Sequence, residues 1–107
     1  MIAMAMNDTI TLDRYVFDVL MRDLAGHDHC PSAFLVYLAV HAAAEEGRAL
    51  FSYQAMADVT GLSKRTCQNA VAHLRRRGLV QISRKGATDA AEYLPLRPWS
   101  RRAPANQ

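Results

Sequence analysis

The chain has 107 residues, half of them apolar and 21% charged, with a formal net charge of +3. This length suits one domain, with enough apolar content to build a core without metal or disulfide staples, and Cys30 and Cys67 make no disulfide framework. MIAMAMND lacks the basic start and apolar length of a secretory signal, and LVYLAVHAAA is cut off by Glu45 and Glu46 far short of a membrane span, so a soluble, cytoplasmic chain is expected.

In chain order, residues 1–10 are expected to be a flexible N-terminus, 11–96 one domain and 97–107 a basic C-terminal tail. From Thr11 to about Leu24, Val16, Phe17, Leu20, Met21 and Leu24 recur at helical spacing, with Arg14, Asp18, Arg22 and Asp23 on the other side. This predicts an amphipathic helix ended by Gly26, followed by the loop GHDHCP. Ser32, with Pro31 just ahead, starts a second helix whose run AFLVYLAVHAAAEE is apolar on nearly every side until Gly47. These two helices either form the core of a monomer or offer a surface for homodimer pairing.

RALFSY reads as a brief strand or an extended entry, and Ser52 caps a third helix with Ala55, Met56 and Val59 facing inward. Gly61 marks the turn, Leu62 packs inward, and Ser63 caps a fourth helix, SKRTCQNAVAHLRRR, closed by Gly78. The period then becomes alternating. Leu79, Val80 and Ile82 predict one strand, RKGATD a turn, and AEYLPL a second strand, with Pro95 confined to an edge or a strand end. The expected fold class is mainly α with a small β hairpin.

Charge is distributed unevenly along this framework. Through Thr60 there are three bases against eight acids, a net of −5; from Gly61 onward ten bases face only Asp89 and Glu92, a net of +8. A small domain split in this way presents a basic half to a polyanion. On the fourth helix, Cys67, Ala70, Val71 and Leu74 fall within one narrow arc and predict the core face. Opposite them lie Arg65, Asn69, Ala72 and Arg76, with Gln68 and His73 on the shoulders.

These residue types match the chemistry of duplex DNA. Arginine pairs with guanine through two parallel hydrogen bonds, asparagine or glutamine pairs with adenine in the same manner, and Ala72 permits close approach. Ser63, Lys64 and Thr66 in the first turn suit phosphates. Arg84 and Lys85 sit beside Gly86 at the expected hairpin tip, where they would meet the DNA backbone. Arg97, Arg101 and Arg102, interleaved with Trp99, either extend that contact or form a disordered basic end.

From about Ser32 to Leu96 the chain resembles the winged helix-turn-helix superfamily of bacterial regulators and of plasmid or phage replication proteins. Gly61, Ser63, Thr66, Ala70, Leu74, Gly78, Leu79 and Val80 carry the likeness, with Cys67 in the place usually held by valine. The resemblance implies a winged helix-turn-helix preceded by an extra N-terminal helix. It also implies base contacts from Lys64, Arg65, Thr66, Gln68 and Asn69, and backbone contacts from Arg84 and Lys85.

The cluster His27, Asp28, His29 and Cys30 has no second ligand pair at zinc-binding spacing and reads as a surface loop. No nucleophile and base with a third orienting group can be argued, and no phosphate-binding loop is present. The reading is therefore a non-enzymatic, sequence-specific double-stranded DNA-binding regulator without cofactor, metal or evident small-molecule ligand. The alternatives are a winged-helix protein-interaction module and the DNA-binding part of a replication apparatus.

Overall fold

The computed structural model describes residues 9–44, 48–84 and 91–100. The N-terminal helix comprises Val16–Leu20 and Arg22–His27 and is wound in wide i→i+5 turns. It buries Val16, Leu20 and Leu24, one row of every fourth residue. Phe17 and Met21, expected in the core, are instead 49% and 42% exposed, because only that one row is packed inward. Phe17 meets Phe34 edge-on, with ring centroids 6.5 Å apart. The helix also runs through Gly26 to His27, past the expected stop.

Helix α1 spans Pro31–Ala43 and starts on Pro31 itself rather than on Ser32. Proline's fixed φ and missing N–H are tolerated at the first helical position, so Cys30 takes the capping place. Its residues Ala33, Phe34, Val36, Tyr37, Ala39 and Val40 are buried, and Leu35 is 42% exposed. The Tyr37 hydroxyl donates to the Leu96 carbonyl at 3.1 Å, and burial pushes its pKa up to about 12. Gly47 lies outside the described residues.

Strand β1 (Ala49–Phe51) leads into α2 (Tyr53–Thr60), where the Ser52 side chain accepts the Ala55 N–H. Met56 is buried as expected, but Val59 is 61% exposed. The last turn of α2 meets the next helix through Thr60 instead. The Thr60 hydroxyl donates to the Met56 carbonyl and lies 3.9 Å from the Cys67 sulfur.

Gly61 then takes a left-handed conformation at φ 81°, and α3 (Lys64–Arg76) begins after Ser63. A methyl group on Gly61 would meet nothing within 4 Å, so Gly61→Ala tests backbone conformation alone. It is expected to cost about 1–2 kcal/mol, read from the urea midpoint.

Strands β2 (Val80–Ser83) and β3 (Ala91–Pro95) form the hairpin. β1 adds to it as a third strand, giving an antiparallel sheet in the order β1-β3-β2, with Ala49 opposite Tyr93 and Ile82 opposite Tyr93 on the other side. β3 is thus central, and Pro95 sits at its end, beyond the β1 pairing. Mostly helical, with the β2–β3 hairpin of this small sheet following the helix-turn-helix, the architecture is the winged helix-turn-helix expected from the sequence.

The segment after β3 departs from both expectations for a basic tail. Arg97 bonds both oxygens of Asp13 at 2.8 and 3.1 Å, and the Trp99 indole N–H donates to Asp13 at 2.8 Å. Trp99 also stacks on Tyr15 with centroids 4.6 Å apart. The Arg97 hydrogen bonds, and then that from Trp99, hold the Asp13 carboxyl below its usual pKa. Arg97 and Trp99 therefore fasten the segment after β3 to the residues just before the N-terminal helix. Arg101 and Arg102 lie outside the described residues.

Candidate nucleic-acid interface

Two local features aim α3. The tight turn at Gly61 reverses the chain after α2, and Ser63 caps the new helix by accepting the Thr66 N–H at 3.0 Å. The Ser63 hydroxyl donates to the Thr66 hydroxyl at 2.9 Å, so its own proton is occupied while the Thr66 proton stays free to donate. Of the two first-turn hydroxyls, Thr66 is thus the better placed donor to a phosphate.

Cys67, Ala70, Val71 and Leu74 are buried, and they fix the rotation of α3 about its axis. Arg65, Asn69, Ala72 and Arg76 consequently stand exposed on the opposite side. Gln68 and Arg75 are exposed on the shoulder toward β2, and Lys64 is exposed in the first turn. No acid occurs anywhere in the helix, and among the described residues no carboxylate pairs with Lys64, Arg65, Arg75 or Arg76. Burying one face and leaving the other unpaired turns the sequence asymmetry into an electropositive ridge.

The other shoulder is occupied. His73 was grouped with the outward donors on the sequence, but its Nε2 lies 2.8 Å from Asp28 Oδ2 and its side chain is half-buried. Arg77 reaches the same oxygen at 3.0 Å and Asp23 at 3.6 Å, while His27 Nδ1 lies 3.0 Å from Asp28 Oδ1. These interactions, the His27 and His73 hydrogen bonds foremost, lower the Asp28 carboxyl pKa to about 2. The HDHC loop is thus an anchor for the C-terminal end of α3, and His73 leaves the open face.

Arg84 is exposed at the end of β2, whereas Lys85 and Gly86 lie outside the described residues. Between α3 and β2 runs a cleft of about 340 Å³ lined by Tyr53, Gln68, Ala72, Arg75, Ile82 and Arg84. Tyr93 is pushed toward high pKa by burial and by the neighbouring Tyr53 hydroxyl, so its phenol stays neutral. Arg75 was not singled out from the sequence. Its helical position alone put it close to the core arc, and only the placement of β2 makes it part of an open surface.

Residues 31–80 match the family of helix-turn-helix domains, just under half of the chain. No curated protein matches the chain. A solved structure, that of the AntR antimony-specific transcriptional repressor, aligns over 88% of this chain and 76% of its own at 20% identity, with a TM-score of 0.48. At that distance nothing about ligand or target passes from one chain to the other.

Proposed function

We propose that the protein is a sequence-specific double-stranded DNA-binding regulator, a reading supported by the match of residues 31–80 to helix-turn-helix domains and by the winged fold around them. Helix α3 enters the major groove and the hairpin lies on the adjacent backbone. The observation that carries this reading is the acid-free outer face of α3, where Arg65, Asn69 and Arg76 stand exposed around the small Ala72. Arg65 and Asn69 can each make a two-point contact with a base edge, and Lys64, Thr66 and Gln68 flank them as phosphate or base donors.

Phe17, Met21 and Leu35, exposed on the N-terminal helix and α1, support pairing as a homodimer. In a dimer the two α3 helices would read half-sites about one DNA turn apart, roughly 34 Å.

The test is selection of bound sequences from random duplex DNA, with the mass in solution measured alongside. The expected result is a short enriched motif, arranged as a pseudo-palindrome if the mass is that of two chains. Affinity should also fall steeply with salt, because several phosphates are neutralised at once. Failure to shift any duplex at low salt would overturn the reading and favour a protein-interaction role.

A further inference from the structure

We infer that the cleft between α3 and β2 is a seat for a backbone phosphate of the bound duplex, gripped by Arg75 from the helix and Arg84 from the hairpin. The inference rests on the duplex-binding reading and assigns to it a contact that the outer face of α3 does not provide.

Arg75 and Arg84, from different elements, line the same cleft, and none of its lining residues is acidic. Positive side chains lining a cleft without an acid favour an anion there, and the planar fork of arginine matches a phosphate through paired N–H donors. Gln68 and Tyr53, which also line it, carry an amide and a hydroxyl. Val71, Ala72 and Ile82 complete the lining and bring no charged side chain.

Position distinguishes a phosphate from a base as the occupant. Arg65, Asn69 and Arg76 point straight away from the core, toward whatever groove α3 enters, whereas Arg75 and Gln68 lie on the shoulder that faces the sheet. A helix in the groove and a hairpin beside it stand on either side of one strand, so the sugar-phosphate chain is the part of the duplex that passes between them. Arg77, two positions after Arg75, is already held by Asp23 and Asp28 and cannot serve this role. Arg75 is therefore a phosphate-binding residue that positions the duplex without reading its sequence.

The test uses the full chain and short duplexes of two unrelated sequences, with affinity measured by fluorescence anisotropy over a series of salt concentrations. Arg75→Ala and Arg84→Ala are each expected to weaken binding about 3- to 10-fold on both sequences alike. The double replacement should also reduce the slope of log affinity against log salt by about 0.9, the loss of one phosphate contact, with each single replacement giving part of that. Arg75→Lys should keep the slope, since it keeps the charge. Both arginines are exposed, so unchanged melting temperatures are expected and exclude misfolding as the cause.

A slope that stays at the wild-type value in the double alanine variant would overturn the cleft assignment while leaving duplex binding intact. A weakening confined to the preferred sequence would overturn it too, because it would make Arg75 a base reader. Inorganic phosphate at constant ionic strength should compete with the duplex in the wild type and not in Arg75→Ala. Phosphate binding to the cleft that leaves duplex affinity unchanged would assign it to free phosphate instead. Absence of any duplex binding by the wild-type chain would remove the functional reading and this inference together.

Discussion

Replacing Arg65 and Asn69 together by alanine should leave a folded protein that still binds duplex DNA but has lost most of its preference for one sequence. Both side chains are exposed, and neither contributes to the packed arc of Cys67, Ala70, Val71 and Leu74, so the melting temperature should barely move. Each two-point base contact is worth about 1–3 kcal/mol of discrimination, so each single replacement should narrow the gap between preferred and random duplex about 5- to 150-fold. Losing one arginine should also trim the salt slope slightly, which separates this pair from Arg75 and Arg84, whose loss is felt equally on every sequence. Arg65→Lys is the informative control. It retains the charge but not the planar fork, and should therefore lose discrimination while keeping general affinity. A double variant that still enriches the same motif would remove α3 from the reading role.

Asp28→Asn should both destabilise the fold and flatten its response to acid. The Asp28 side chain is only 10% exposed and carries the contacts to His27, His73 and Arg77, with Asp23 sharing Arg77. His73 and Arg77 retain access to water, so the expected cost is about 1–3 kcal/mol rather than the larger figure for a sealed ion pair.

The sign of the pH effect follows from the lowered carboxyl pKa. Unfolded, the group takes up its proton near the ordinary value of 3.8; folded, it resists until about 2. The stabilisation is thus complete above pH 4 and is lost as pH falls from there through 2. Urea midpoints at neutral pH and across that acid window should show the wild type losing stability more steeply than Asp28→Asn. Equal acid limbs in the two proteins would show that Asp28 does not hold α3 through its charge. Because this anchor grips the C-terminal end of the helix, the variant should also bind its preferred duplex more weakly at neutral pH.

The parts legible in the sequence are those governed by local geometry. The cap at Ser63, the turn at Gly61 and the buried arc of α3 follow from residue types and a 3.6-residue period within some fifteen positions. The same period placed Arg65, Asn69 and Arg76 on one outward face. Alternation after Gly78 disclosed the two hairpin strands, and Pro95 marked a strand end for a reason intrinsic to its missing N–H.

Periodicity says which side of a helix is apolar, but not how much of that side a neighbour covers. Phe17, Met21 and Val59 carried the right pattern and stayed exposed, since their partners reach only one row of each helix.

By itself, the sequence determined that a basic, acid-free helix follows a capped turn and that a hairpin comes after it. Tertiary structure alone decided which charges are spent. Asp13 meets Arg97 across 84 positions and Asp28 meets His73 across 45, so bases that looked alike in the one-dimensional tally divide into two groups. Arg77 and Arg97 hold the fold, whereas Arg65 and Arg76 face outward and Arg75 stays exposed beside the sheet. The physical reason is that a carboxylate chooses its partner by distance of a few ångströms, and that distance is set by the path of the whole chain rather than by any short stretch of it.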